Sequence, residues 1–533
     1  MRNLAEGILA LGKARRGRIL DEYVTEEQRS PRAKAPGQIC ASYFDEGPKL
    51  RETRDSNRRS MFRRRSFLRL PGLALVILIF GCATPGDLLK HIDKLEAEGR
   101  YDQAAALVES AKLKNYGQKN ALLYYLDRGI LLQLAGKYAD SNAAFDQAKR
   151  LATELFTKSV TTEAGTFLVS DNLRPYYGED FERAQVNLFS ALNYLLMGQD
   201  SDALVETRQV DFFLTKLRTD YGHKNIYTED AFARYLAGLI QEDQGETNDA
   251  CISYRQSLKA YEDYRKNYGV GAPPELVRDA LRTAKALGFD DQIADIRKAW
   301  GGDVPGPLPK DSGEVVVLDY QGLPPRKVDE FFEISVFKGW PMVVAQRPVG
   351  ETAQQVDQAQ AILRSVAADQ MVRVAFPSYQ TTPYAIRGLT VRADDSSIEH
   401  AASVAQDIGA IAEKNLKDRM IRDRAKAIAR AVVKWVLTQK VAAKVQENKG
   451  EGAGWLVKTL MQTVSTATEV ADKRSWATLP DKIAVARLTL PAGDHDLHLT
   501  FHTAAGAQAS TQDLRDVKVR SGRRTFLIVR TAL

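Results

Sequence analysis

The chain has few of the side chains that most often carry enzyme chemistry. Its 533 residues include three cysteines and six histidines. It contains no phosphate-binding loop, no GxSxG nucleophile elbow, no HExxH zinc motif and no CxxC pair. The glycine-rich stretches 269–274 and 450–454 do not follow a predicted strand and open a helix, as a dinucleotide site requires. The sequence therefore predicts no cofactor and no recognisable reaction centre.

Two histidines suggest a metal site, but strand geometry opposes it. His498 and His502 are four residues apart in a predicted strand, so both side chains face the same side. That spacing separates them by roughly 13 Å along the chain, too far for one zinc ion without a bulge. We interpret both as strand-face side chains and predict no metal site.

What the sequence does contain is a targeting signal that ends at Cys82. Four arginines between Arg63 and Arg69 precede the apolar residues 70–80, and Gly81 stands directly before the cysteine. This order is that of a secretory signal, and its end resembles a bacterial lipobox, whose cysteine is acylated and becomes the first residue. The alternative, a transmembrane helix, needs roughly 20 apolar residues. We expect a signal peptide at 61–81 and lipidation of Cys82.

Residues 1–60 need a separate explanation, because a signal requires a short charged N-terminal region such as the one that begins at Met61. They are rich in Arg, Glu, Ser and Pro and lack a steady apolar period. We interpret them as an upstream extension from a start site assigned too early, or else as a cytoplasmic tail. In either case no packed structure is expected.

The excess of basic over acidic residues lies in the N-terminal region of the chain. Residues 1–81 hold 17 Lys or Arg and 9 Asp or Glu, which leaves 58 basic and 59 acidic residues in 82–533. The processed chain would be close to neutral, so no nucleic-acid partner is predicted. Cys251 would be its only cysteine besides Cys82, so no intramolecular disulfide is expected.

The sequence pattern predicts successive helices over 82–300. A similar spacing of small and aromatic residues recurs there. The clearest copy includes Gly129, Gly136, Tyr138, Phe145 and Ala148. This spacing resembles a tetratricopeptide repeat, in which small residues let two antiparallel helices approach closely. Further copies surround other glycines: Gly99, Gly198, Gly245 and, more weakly, Gly288. The alternative is a generic helical bundle.

Glycines and prolines in 301–313 predict a linker, after which the pattern changes. Strands are predicted within 314–395, a helical pair over 397–471 and a β tail over 482–531. The predicted fold class is α+β. An N-terminal α-solenoid of tetratricopeptide-like helical hairpins (82–300) precedes a C-terminal α+β domain (314–533) with a small antiparallel sheet or half-sandwich.

Two polar clusters supply the candidate site residues. The first is interpreted either as solvated, helix-capping charge or as a partner-binding patch on the concave face of the repeats. Its members are Glu179, Glu182, Arg183, Glu206 and Arg208. The second is interpreted as a structural junction that fixes the helical pair to the sheet, with a binding cleft as the alternative. Its members are Glu469, Asp472, Arg474 and Trp476.

Three stretches carry a resemblance to a family of uncharacterised bacterial lipoproteins with tetratricopeptide-like repeats. They are PYYGEDFERAQVNLFSALNYLLMG, VRVAFPSY and TEVADKRSWATLPDKIAVARLTLPAGDHDLHL. The resemblance spans most of 82–533 and implies no particular activity.

The repeats and the lipid signal together lead us to expect a protein-binding scaffold or accessory factor for envelope assembly, and no enzyme. Stacked repeats build extended recognition surfaces. Ala83, rather than Asp, follows the cysteine, and by resemblance to enterobacterial sorting this favours the periplasmic face of the outer membrane. A hydrolase or lyase acting on peptidoglycan or polysaccharide at the domain junction, and a passive structural lipoprotein, are the alternatives.

Overall fold

The computed structural model describes seven stretches of the chain. They are 85–162, 173–220, 227–337, 340–345, 371–394, 397–449 and 471–532. Residues 83–533 form one compact unit. The predicted extension 1–60, the signal peptide 61–81 and the lipidated Cys82 all lie outside the described residues.

Helical hairpins make up the first part of this unit, and each hairpin packs against the next. The pairs are α1 (Pro85–Ala97) with α2 (Tyr101–Ala111), α3 (Ala121–Leu134) with α4 (Tyr138–Thr162), α5 (Asp180–Leu196) with α6 (Asp200–Asp220), α7 (Ala231–Asp243) with α8 (Thr247–Tyr268), and α9 (Pro274–Ala286) with α10 (Asp290–Trp300). A π-helical turn, Lys112–Tyr116, follows α2.

A glycine ends the first helix of each pair in the same way. Gly136 has φ +74°, in the left-handed region that favours glycine. Its N–H donates to the Gln133 carbonyl at 2.9 Å, and the Lys137 N–H donates to the Leu132 carbonyl at 2.9 Å. This Schellman arrangement recurs at the other four turns: Gly99, Gly198, Gly245 and Gly288. The predicted hairpins are therefore confirmed, including the weak copy at Gly288.

Two equivalent glycines let paired helices approach closely. A β-carbon added at Gly129 would lie 2.2 Å from the Phe145 ring, and one added at Gly238 would lie 2.4 Å from the Tyr254 ring. Each aromatic residue follows its glycine by 16 positions and is fully buried. The spacing found in the sequence therefore encodes the same helix contact in two repeats.

The second part of the unit consists of three small sheets and one long helix. The strands are β1 (Ser312–Gln321), β2 (Arg326–Phe337), β3 (Trp340–Ala345), β4 (Met371–Gln380), β5 (Ile386–Ala393), β6 (His400–Ala401), β7 (Ser403–Asp407), β8 (Lys482–Pro491), β9 (Gly493–Thr503), β10 (Gln508–Val519) and β11 (Arg524–Thr531). The long helix, α11, spans Ile408–Lys449.

Two four-stranded sheets, β11-β1-β8-β7 and β10-β9-β5-β6, share an apolar core that includes Val315, Val317, Leu488 and Leu499. The third sheet has the order β3-β2-β4. The α+β class and the small antiparallel sheet are confirmed, although β1 also pairs with β11 in parallel.

Some predicted boundaries were wrong. The helical stretch was expected from residue 397, but β6 and β7 occupy its beginning and α11 starts at Ile408. The sequence interpretation also missed β2, because charged residues such as Lys327, Asp329 and Glu330 interrupt its apolar alternation. The second helix of the predicted pair lies outside the described residues, which resume at residue 471.

The repeats and the first sheet share one hydrophobic core. Val315 and Val317 of β1 face the second sheet, whereas Val316, Leu318 and Tyr320 join the core of the helices. The Tyr320 ring lies 5.6 Å from the Phe189 ring of α5. The predicted linker 301–313 therefore marks a change of secondary structure and does not separate two cores.

Candidate functional site

The first helices of the five hairpins meet the C-terminal strands through buried polar side chains. We call this contact the polar seam, and the helix face that forms it the inner face. Its bonds join Glu96 to Arg530 (3.0 Å), Gln133 to Tyr320 (3.1 Å), Glu182 to the Trp476 amide (2.6 Å), Glu242 to Arg524 (2.7 Å) and Asp279 to Arg487. The chain itself thus occupies the face where a repeat array would otherwise present a groove.

Arginines of β8 and β11 hold the most charged part of the polar seam. Arg487 bonds Asp279 and Glu314, and Arg524 bonds Glu242 and Glu314. Burial alone would raise the pKa of Asp279, but the surrounding arginines hold it below its usual value. A buried cluster of this kind holds elements in place and offers no free group for chemistry.

The predicted junction around Trp476 belongs to the polar seam. The indole packs between the rings of Phe145 (5.9 Å) and Phe189 (5.8 Å). Arg474 bonds Asp472 at 2.6 Å and the Arg174 carbonyl at 2.8 Å. Among the described residues, this segment contacts the repeats and also β2, whose Lys327 donates to the Arg474 carbonyl at 3.0 Å. Its predicted contact with the helical pair stays a prediction, because the second helix lies outside the described residues. Glu469 lies outside the described residues.

Two members of the predicted partner-binding cluster are buried. Glu179 pairs with Lys327 and Arg419, which outweigh the effect of burial and lower its pKa. Glu182 accepts from Tyr176 at 2.6 Å, and burial, aided by the Glu179 charge, raises its pKa to about 7.

The two glutamates also form the capping box at the start of α5. The helix-capping interpretation is therefore confirmed for Glu179 and Glu182. The exposed patch, and the expectation that the capping charges are solvated, are wrong for these two residues, because both side chains are buried. The alternative of a hydrolase or lyase at this junction gains no support, since both carboxyls are bound within the chain.

Arg183 lines a cavity of about 300 Å³ between α3, α4, α5 and α6. Its guanidinium lies 4.4 Å from the Phe156 ring centre and 4.7 Å from the Phe213 ring centre. Phe212, which is 67% exposed, and Lys216 complete the rim. Exposed residues of the second helices, such as Phe212 of α6, lie at the cavity, and Glu182, which also belongs to the polar seam, forms part of its lining.

Helix α6 gives the cavity a basic edge. Arg208, Phe212 and Lys216 follow at four-residue intervals and are all exposed, so they form one stripe on the helix. Neither Arg208 nor Lys216 forms an ion pair within the described part of the chain. Glu206 instead turns to Lys149, at 2.7 Å. Of the five predicted cluster residues, only Arg208 is fully on the surface.

The described residues contain no candidate metal site and no reactive thiol. No group of three or more His, Cys, Asp or Glu side chains there could hold a metal ion. His498 lies between Asp513 and Asp394, whose hydrogen bonds raise its pKa, and His502 bonds Thr390 at 2.9 Å. Cys251 is buried, and burial raises its pKa, which keeps the thiol unreactive.

None of the helices in the described stretches combines the length and apolar character needed to cross a bilayer.

Comparison with solved structures finds low-scoring likenesses to helical-repeat proteins. MamA is 13% identical over 39% of this chain and 91% of that chain, with a TM-score of 0.24. A putative kinesin light chain from Podosopora anserina with nearly identical TPR-like repeats is 13% identical over 41% and 94%, with a TM-score of 0.26. BtubC from P. vanneervenii is 14% identical over 42% and 84%, with a TM-score of 0.28.

These scores carry no argument about function, and the repeat assignment rests on the glycine turns and helix contacts described above. No protein-family model and no curated protein matches the chain.

Proposed function

We propose that the chain is a protein-binding scaffold of the cell envelope that binds its partner on the outer side of the repeats. One observation carries the proposal: the chain's own strands close the inner face, whereas the cavity beside the exposed Phe212 is open. Aromatic and arginine side chains around a pocket are typical of the energetic centre of protein interfaces. The cavity provides both.

Position-dependent photo-crosslinking in intact cells tests this role. A photoreactive phenylalanine analogue at Phe212 is expected to capture the same partner reproducibly. The analogue at Ile252, an apolar residue of α8 that is 43% exposed, is the matched control and is expected to capture none. Equal capture from both positions would contradict the proposed site. No capture from any exposed position would favour a passive structural lipoprotein.

The envelope location is a separate part of the proposal, and it rests on the sequence before Cys82. A lipid on this cysteine would hold the repeats beside the membrane, on the periplasmic face of the outer membrane. Metabolic labelling with a fatty-acid analogue is expected to mark the natural chain and not the Cys82→Ala variant. Label that remains on the variant would contradict lipidation at this residue.

A further inference from the structure

We propose that the cavity and the exposed stripe of α6 bind an acidic peptide segment that carries one bulky apolar residue as its anchor. This inference rests on the proposed function and names the chemical class of the partner. The binding surface is defined by Lys149, Phe156, Arg183, Arg208, Phe212 and Lys216.

The charge around the cavity favours a negative partner. Lys149, Arg183 and Lys216 line it, against one carboxyl, that of Glu182. The Glu182 oxygens already accept from the Trp476 amide at 2.6 Å and from the Tyr176 hydroxyl at 2.6 Å. Burial raises its pKa to about 7, so it carries only part of a negative charge near neutral pH. Asp146 and Glu206 neutralise Lys149, whereas Lys216 forms no ion pair within the described part of the chain.

Three acidic residues of α6 are paired within the chain, and the exposed Asp202 lies six residues before Arg208, a spacing that does not place it on the stripe. Asp200 pairs with Arg523, Glu206 with Lys149 and Asp211 with Arg234, so these carboxylates are directed to partners within the chain. Arg208 and Lys216 remain on the open side, one on each side of Phe212. The two cations are separated by roughly 12 Å along the helix axis. A segment with carboxylates on both sides of an apolar residue matches this order of charges.

The cavity supplies the place for that apolar anchor. Its walls include Phe156, Phe212, Phe213 and Leu217. A volume of about 300 Å³ is at the small end of the range for ligand pockets, which suits a single large side chain better than a whole cofactor. Phe212 is already 67% exposed, and covering it would remove apolar surface from water. An anchored segment therefore gains both burial and charge contacts.

Defined peptides and the full-length chain test the inference. Fluorescence anisotropy would compare a labelled peptide that has a central Phe between Asp and Glu residues with the same peptide carrying Lys in place of each acid. The acidic peptide is expected to bind at least roughly tenfold more tightly. Replacing its central Phe by Ala is expected to lower the affinity by roughly tenfold.

Charge reversal on the protein provides the second arm. The double change Arg208→Glu and Lys216→Glu is expected to lower the affinity for the acidic peptide by roughly tenfold or more. The same variant is expected to bind the basic peptide more tightly than the acidic one. Lys90→Glu, at an exposed position of α1 outside the cavity, is the matched control and is expected to change neither affinity. Unchanged melting temperatures would show that each variant folds.

The inference is overturned if the two peptides bind with equal affinity, or if neither has a Kd below about 1 mM. It is also overturned if the double change lowers the affinity for the acidic peptide no more than Lys90→Glu does. If the peptides do not bind as expected but crosslinking from Phe212 still captures a partner, the proposed scaffold role stands. In that case only the proposed chemical class of the partner is wrong. If crosslinking from Phe212 also fails, the site itself is wrong.

Discussion

At the scale of single residues, the repeats depend on glycines that leave room for an aromatic ring. The fully buried Phe145 ring lies against Gly129 on one side and 5.9 Å from the Trp476 ring on another, so a shift away from a new β-carbon would disturb its other contacts. Gly129 belongs to the clearest copy of the repeat spacing in the sequence. Its backbone does not adopt a positive φ, so only the close packing requires glycine here.

We expect Gly129→Ala to destabilise the chain by about 1–3 kcal/mol, because the new β-carbon would overpack the Phe145 ring. This loss exceeds the roughly 0.5–1 kcal/mol that alanine gains over glycine in a helix. Thermal and urea unfolding would measure the change. Gly271→Ala is the matched control, since a β-carbon there meets no atom within 4 Å. Equal shifts for the two variants would contradict the helix contact.

Local sequence patterns predicted some residues well and others poorly for a physical reason. A turn glycine such as Gly136 acts through its own backbone, so its role is visible in the sequence around it. Glu182 is different, because its burial depends on Trp476, almost 300 positions later. A capping box looks the same whether the helix start is later covered or left in water, so the sequence could not show that the predicted patch is buried.

At the scale of elements, β8 and β11 are attached to the repeats by buried ion pairs. Arg524, whose side chain is 4% exposed, bonds Glu242 at 2.7 Å and Glu314 at 3.0 Å and also pairs with Asp243. Removing one member of such a cluster is costly, because the remaining charges stay buried without compensation.

We expect Arg524→Met to lower the free energy of unfolding by about 3–5 kcal/mol. The neighbouring change Arg523→Met is the control. The Arg523 side chain is 42% exposed and pairs with Asp200, so its loss is expected to cost about 1 kcal/mol or less. Chemical unfolding followed by Trp fluorescence would compare the two variants. If Arg524→Met lowers the free energy of unfolding no more than Arg523→Met does, the polar seam does not stabilise the fold as proposed.

At this scale, β2 is a strand that the sequence missed, and it carries a buried lysine. Lys327 of β2 is buried beside Glu179, and this long-range pair explains why a strand with inward-facing charge was missed. The β tail was recognised because its apolar residues alternate in the ordinary way, as in Leu497, Leu499 and Phe501. Short-range periodicity also predicted β8 and β11, whose buried arginines, such as Arg487 and Arg524, leave the apolar alternation intact, whereas several charged residues in β2 interrupt it.

At the scale of the whole molecule, buried carboxyls link stability to pH. Burial is the main cause that raises the pKa of Glu96 and Glu182 to about 7 and of Asp127 and Asp319 to about 6. The folded chain therefore retains protons that the unfolded chain releases at its lower pKa values. Because the folded state binds more protons in this range, stability falls as the pH rises.

We therefore expect the melting temperature to rise as the pH is lowered from about 8 towards about 5.5. Carboxyls with lowered pKa values, such as Glu179 and Asp279, oppose this trend only at lower pH, where they become protonated and their stabilisation is lost. Calorimetry across this range would measure the slope. Glu96→Gln is expected to make the slope shallower, even if it lowers stability throughout. A melting temperature that increases steadily from pH 5.5 to 8 would contradict the assignment.

The location of the candidate site could not be predicted from the sequence, because it follows from which surface the chain covers. The repeat pattern favoured the inner face, where helical repeats offer a concave surface. The C-terminal strands occupy that face, through residues such as Tyr320 and Arg530. Arg183 and Arg208 were identified as candidates, but their association with Phe212 depends on how α4, α5 and α6 pack together.

The central claim is that the inner face is closed and the outer cavity is open, and the rate of thiol labelling tests it most directly. Single cysteines would be placed at Gln133, which is 2% exposed, and at Phe212, which is 67% exposed. The background would carry Cys40→Ser, Cys82→Ser and Cys251→Ser. A maleimide is expected to label position 212 at once and position 133 on the order of a thousandfold more slowly, since access requires opening of the polar seam. Labelling of position 133 within tenfold of position 212 in the native protein would contradict the account.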